Sequence, residues 1–301
     1  MHHPADLDPT AALRWRLQDR TPPPWLHEEV AQRMQERLDW ITVRPRHWLH
    51  WAPWTGGIVE HEPLLLRYPD AQCTVVETSP ARADLVRKAL LPSRLQAVPP
   101  PADAAPPTVD VTTTLPPAVD MIWANMALHG EADPRVLLAT WRDALAPGGF
   151  LMFSCLGPDT LSTLRALHAE RGWPPPAQEF VDLHVLGDWL VELGFTDPVV
   201  DVERITLTFP TAQRLLEELR GLGRNLHPNR FPALRGRQWR RAWLDAVSAM
   251  PLELPFEVVY GHAFRATATD QRRDGACSIS LDSLRQTLPH LAGGRDDAPK
   301  R

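Results

Sequence analysis

The chain has 301 residues, 44% apolar and 23% charged, with a net charge of −5. These values suit a folded domain with its own core, and they exclude a chain disordered throughout and a generally basic nucleic-acid binder. No run approaches the ~20 apolar residues of a membrane span.

The start, MHHPADLDPT, lacks a basic region ahead of an apolar one, so no secretory signal is expected. The three cysteines, Cys73, Cys155 and Cys277, stand apart without metal or disulfide spacing. The expectation is a reduced, cytoplasmic protein with no membrane, nucleic-acid or metal partner. Proline is the outlier, at 32 residues, and much of it is clustered.

Residues 1–24 are polar and end in prolines, which predicts an irregular arm. From Trp25, apolar residues at Leu26, Val30, Met34, Leu38 and Ile41 recur at helical spacing, predicting an amphipathic helix over 25–41. Residues 44–51 read as a short strand, 56–70 as a turn and helix, and 73–77 as a β-rich strand. Ser79 then caps a helix over 79–91, with Pro80 at its first position. Residues 92–117 carry eight prolines, which predicts loop except for a short strand near 94–98.

The pattern resumes with a buried strand over 119–125, a helix over 133–145 stopped by APGG (146–149), and a strand over 150–156. Asp159 is a candidate cap for a helix beginning at 160, and 185–195 reads as a helix ending at Gly194. A long strand (198–209), two helices (211–223 and 236–249) and a last strand (253–264) follow. The tail over 266–301 is polar, with a strand and short helix expected at 277–288. Strands alternating with helices predict a doubly wound, parallel α/β sheet over 25–265, with a helical lid insertion (211–250) before its last strand.

Such sheets bind ligands at the carboxyl ends of their strands, near the switch point. A glycine turn should follow the first strand, and an acid about twenty residues on should hold a ribose. The turn here is Ala52-Pro53-Trp54-Thr55-Gly56-Gly57, and Glu77 lies 21 positions after Gly56. Ala52, Trp54, Gly56, Gly57 and Glu77 are therefore the candidate cofactor residues, joined by Asn125 at the end of the strand over 119–125. Two readings of Glu77 remain open, a ribose ligand or a solvated strand end. Asn125 likewise faces the cleft or caps the turn that follows it.

From Arg220 to Arg241 there are seven arginines and no acid, in a protein of net negative charge. Arg220, Arg224 and the adjacent Asn225 are candidates for docking an acidic partner, with His129 shaping an acceptor pocket. A solvated basic face and a packed histidine are the plainer alternatives. His47 and His50 lie three apart on a strand and so point to opposite faces, which argues against a metal pair.

The segments 48–56, VVETSP (75–80), VDMIWANMALHG (119–130) and LAPGGFLMFSCLGPDTL (145–161) resemble, in order and spacing, the core of class I S-adenosylmethionine-dependent methyltransferases. WLHEEVAQRMQERLDWI (25–41), GPDTLSTLR (157–165), DLHVLGDWLVELGF (182–195) and LEELRGLGRN (216–225) resemble more specifically the biotin-pathway malonyl-acyl-carrier-protein O-methyltransferases (the BioC family) and their relatives among complex I assembly factors.

The resemblance implies a Rossmann-like methyltransferase fold, S-adenosylmethionine as cofactor, and methylation of a malonyl carboxylate on an acyl carrier protein. The chain departs from the family pattern at four places. His50 stands where the first strand usually ends in an acid, Ala52 and Trp54 replace two glycines, Thr21-Pro22-Pro23-Pro24 replaces a Tyr-Asp pair, and Gly130 replaces a Trp. Two expectations follow: a methyltransferase, or a non-catalytic binding or assembly protein that keeps the fold.

Overall fold

Short apolar runs bounded by turn residues form the central strands. They are buried on both faces, so they lack the polar alternation of a half-exposed strand. A computed structural model describes residues 7–16, 24–90, 109–233 and 235–267. Residues Met1–Arg265 make one compact unit, and Ala266–Arg301 make a second, of which only 266 and 267 are described.

The strands of the first unit are β1 (His47–Trp51), β2 (Gln72–Val76), β3 (Val109–Thr112), β4 (Val119–Ala124), β5 (Leu145–Leu156), β6 (Phe195–Thr208) and β7 (Glu253–Arg265). They pair in the order β3-β2-β1-β4-β5-β7-β6. β1, β2, β3, β4 and β5 pair in parallel, and β7 runs antiparallel to both of its neighbours. The order reverses between β1 and β4, which makes the mouth between their carboxyl ends the switch point.

The helices are α1 (Pro9–Arg16), α2 (Trp25–Arg37), the single turn α3 (Pro53–Gly56), α4 (His61–Arg67), α5 (Pro80–Ala89), α6 (Pro134–Ala144), α7 (Ser162–Glu170), α8 (Leu183–Glu192), α9 (Ala212–Leu222) and α10 (Arg237–Ser248). On one side of the sheet, α2, α4, α7, α9 and α10 pack around Trp48, Trp123 and Tyr260. On the other side, α6 and α8 pack around Leu49, Phe153 and Trp141. The expected doubly wound α/β sheet is present, with α9 and α10 inserted between β6 and β7.

Of the two caps expected from the sequence, the one at Ser79 is present. Ser79 Oγ accepts the Arg82 N–H at the start of α5, and Asp133 and Asp182 cap α6 and α8. Such caps contribute about 1 kcal/mol each.

Four expectations need correction. The arm read as irregular contains α1, an eight-residue helix. The proline-rich stretch read as loop contains β3, because a short edge strand needs ladder partners on one side only, here β2. The strand expected at 94–98 and the elements expected at 277–288 lie outside the described residues.

Asp159 does not cap α7. Leu161, in the left-handed region at φ 59, precedes that helix, while the Asp159 side chain pairs with Arg204. The APGG segment stops α6 but belongs to β5, and Gly148 supplies the positive φ of 80 that the bend requires.

Candidate active site

The switch-point turn is built from the end of β1 outward. Ala52 sits at φ 46 and ψ 49, and its N–H is donated to the Val76 carbonyl at 2.8 Å. An alanine there costs on the order of 1 kcal/mol relative to glycine. Pro53 then opens α3, a position where its missing N–H costs nothing.

The two glycines that remain are those the geometry requires. A Cβ on Gly56 would lie 2.4 Å from the Asn125 carbonyl oxygen, and Gly57 adopts φ 121. The two replaced glycines fall where a side chain is accommodated. The Trp54 indole is half-buried against the larger apolar cluster rather than turned out to solvent.

Glu77 is the first residue after β2 and is buried. Its Oε1 accepts the Trp54 backbone N–H at 2.8 Å, and among the described residues its Oε2 has only a long contact, 3.4 Å, from the Thr78 N–H. Burial pushes the Glu77 carboxyl above its usual range, against the pull of the Trp54 N–H and of the Arg82 guanidinium. A buried carboxylate with spare acceptor capacity fits a pair of ribose hydroxyls, and those bonds would favour its charged form.

Asn125 is committed elsewhere. Its Nδ2 donates to the His27 carbonyl at 2.8 Å and to the Gly56 carbonyl, and its Oδ1 accepts from Ser154 Oγ at 2.6 Å. The side chain thus clamps α3 to the start of α2 and to β5. Residues missed by the sequence reading complete the clamp. His27 Nδ1 donates to the Thr55 carbonyl at 2.7 Å, and the Glu28 carboxylate accepts the N–H groups of Ile58 and Val59 at 3.1 Å. Glu28 is visible in sequence only as an acid in the first turn of a helix, with no hint of its partners.

Beneath the turn, His50 and His61 face each other, Nδ1 to Nδ1 at 3.0 Å, with stacked rings beside Trp48. One nitrogen of the pair must donate and the other accept, so at least the accepting ring is neutral. Burial holds the His61 pKa down at about 4, and burial together with His61 pushes His50 well below its ordinary value. His47 points to the other face and bonds Thr74 Oγ1 at 2.8 Å.

A cavity of about 570 Å³ lies under the insertion, and one of its lining residues, His129, has its ring 6.2 Å from that of His27, which holds the turn. His129, which follows β4, and Leu156, which ends β5, place it at the carboxyl ends of the parallel strands. Arg220, Arg224 and Asn225 all line it, as do three more arginines of the basic stretch, Arg230, Arg235 and Arg240. Arg235 stacks on the Trp239 ring at 3.8 Å. Asn225 serves as a strut, its Nδ2 donating to the Pro175 carbonyl at 2.6 Å and its Oδ1 accepting the His227 N–H at 2.9 Å. His168 is held in one tautomer, donating from Nδ1 to the Pro174 carbonyl at 2.7 Å and accepting at Nε2 from Trp243 Nε1 at 3.1 Å.

Known proteins are similar to this chain in sequence. The malonyl-[acyl-carrier protein] O-methyltransferase of Laribacter hongkongensis is 36% identical over 261 residues, covering 82% of this chain and 85% of the relative. The chain belongs to the malonyl-[acyl-carrier protein] O-methyltransferase family.

The family's member in Halorhodospira halophila is 32% identical, over 85% of this chain and 87% of that protein. No family model matches. Among solved structures, the YcgJ protein of Bacillus subtilis shares the fold, with 10% identity, a TM-score of 0.52, and coverage of 79% of this chain and 99% of that one. The strand order with antiparallel β7 is that of the Rossmann-like methyltransferases. Membership of the malonyl-[acyl-carrier protein] O-methyltransferase family makes the chain a methyltransferase. Among the described residues, no helix is long and apolar enough to cross a membrane.

Proposed function

We propose that the chain is an S-adenosylmethionine-dependent O-methyltransferase acting on the free carboxylate of a malonyl thioester carried by an acyl carrier protein. The observation that carries this reading is the arginine-lined cavity at the carboxyl ends of the parallel strands, the end of the sheet that also carries a turn whose buried acid retains acceptor capacity. The family relationship supports the same acceptor.

S-adenosylmethionine, when bound, supplies an electrophilic methyl group. Glu77 would accept hydrogen bonds from its ribose hydroxyls, and the backbone of Ala52–Gly57 would lie against it. A malonyl carboxylate is ionised at neutral pH, so it attacks without a general base. What the chain contributes is alignment and dryness. Arg220 and Arg224 would draw the anionic end of the acceptor into the cavity, since guanidinium groups bind carboxylate and phosphate in a directed way. Aromatic walls such as Phe180 and Trp239 would exclude water. The run of seven arginines without an acid, on a chain of net −5, would steer an acidic carrier protein to this face.

The deciding experiment is calorimetric titration of the protein and of Glu77→Ala with S-adenosylmethionine, followed by methylation of malonyl-acyl carrier protein. The expected result is micromolar binding, weakened at least tenfold in the variant, and transfer to the malonyl carboxylate. No binding at millimolar cofactor would overturn the cofactor assignment. Binding without transfer to any malonyl thioester would overturn the acceptor assignment.

A further inference from the structure

Helix α1 lies outside the methyltransferase sheet yet takes part in the acceptor cavity. Asp8 both starts the helix and fastens it. Its Oδ1 accepts the N–H groups of Thr10 at 2.9 Å and Ala11 at 3.1 Å, while its Oδ2 pairs with Arg230 of the insertion at 2.6 Å. The Asp8 N–H is donated to the Leu226 carbonyl at 2.9 Å, and Leu7 and Ala12 close a small apolar cluster over the Leu226 side chain.

Three residues beyond Ala12 along α1, Trp15 forms part of the cavity wall. A Cβ on Gly223 would meet Trp15 Cζ2 at 3.8 Å, and the Arg224 guanidinium lies 5.9 Å from the indole centroid. Leu226 also donates to the other side of the cavity, its N–H reaching Gln178 Oε1 at 3.3 Å. One short stretch of the insertion thus joins α1 to the opposite wall.

An isolated helix of eight residues is unstable in water, where ~12–15 residues are marginal even for good helix formers. Folding of α1 and its docking on the insertion are therefore one event. A ligand that fits beneath Trp15 favours the docked state, and one that needs the space of the indole favours release.

We propose that α1 is a strap that folds onto residues 223–230 and completes the acceptor cavity, with Trp15 as the specificity-determining side chain that limits the length of the acyl group admitted. The proposal rests on the acceptor reading above, and it adds a wall that the sheet and insertion do not supply. Trp15 acts by occupying space. Asp8 and Arg230 act by holding it there.

Two variants of the full chain test this. Trp15→Ala removes the indole and leaves the ties. Asp8→Asn keeps a good helix cap and removes the charge opposite Arg230. The first readout is the ratio of kcat/KM for adipyl- over malonyl-carrier protein. Since one methylene in an apolar pocket is worth roughly 10-fold or more, Trp15→Ala should raise that ratio at least tenfold. The second is amide hydrogen exchange, in which Asp8→Asn should speed exchange of residues 8–16 and 223–230 together, on the order of fivefold.

An unchanged ratio overturns the proposal, and so does faster exchange of 8–16 with 223–230 unaltered. Wild-type protein that methylates neither thioester refutes the acceptor reading instead, and the coupled exchange then decides the strap independently.

Discussion

The carboxylate of Glu77 holds the backbone N–H of Trp54, 2.8 Å away and 23 residues earlier in the chain. The residue placed to bind a ribose is thus also the residue that fixes the turn beside it. Glu77→Gln keeps an acceptor for the Trp54 N–H and loses the charge. Its thermal stability should stay near that of the parent, while affinity for S-adenosylmethionine falls roughly tenfold, the difference between charged and neutral hydrogen bonds to two hydroxyls. Glu77→Ala should lose both, with stability lower by about 1–3 kcal/mol because the Trp54 N–H is stranded. Equal melting curves for the two variants would refute the dual role.

Asn125 ties β4 to α2, α3 and β5 through both of its polar atoms. Asn125→Ala should destabilise the fold by roughly 2–4 kcal/mol, since a buried carbonyl, a second carbonyl and a hydroxyl all lose their partner. Urea unfolding measures this directly. A loss below 1 kcal/mol would mean that water replaces the amide.

The turn also separates the glycines that matter from those that do not. Gly56→Ala sets a Cβ against the Asn125 carbonyl oxygen and should cost roughly 1–3 kcal/mol. Ala52→Gly relieves a left-handed alanine at φ 46 but adds unfolded-chain entropy, so it should change stability by no more than about 0.5 kcal/mol. Chemical denaturation of the two variants side by side tests the contrast.

The pair His50 and His61 gives a pH dependence with a defined sign. Both side chains have folded pKa values below the ordinary value of 6.5, His61 at about 4, so the unfolded chain binds protons first as pH falls. Their contribution is complete above pH 6.5 and is lost as pH falls towards 4, by up to about 3 kcal/mol for a shift of this size. Unfolding free energies at pH 7.5 and 4.5, in the parent and in a His50→Phe, His61→Leu double variant, should differ in slope. Parallel pH profiles would show that protonation of the pair does not oppose folding.

The fold was legible because its signals are local. Continuous apolar runs mark the buried parallel strands, and Ser79, Asp133 and Asp182 cap their own helices within three residues. Positions such as Gly56 and Glu77 were legible as candidates because the strand–turn–helix spacing of a doubly wound sheet sets where a ligand turn must fall. β3 escaped notice because proline density was read as loop, although an edge strand tolerates neighbouring prolines. α1 escaped because an eight-residue polar helix has no stability of its own and forms only where Leu226 and Arg230 receive it.

Sequence by itself determined the order of strands and helices apart from β3 and α1, the arginine-rich insertion, and the family whose motifs the chain carries, because each depends on residue types within a few positions of one another. Only the tertiary structure decided what the side chains do. It joined Asn125 to His27 across 98 positions, and it drew the Trp54 indole into the apolar cluster. It also set two histidines eleven residues apart face to face, and it assembled one cavity from α1, the 175–180 segment and the insertion. The physical reason is that hydrogen-bond partners and cavity walls are chosen by packing across the sheet, where burial leaves each polar atom few alternatives.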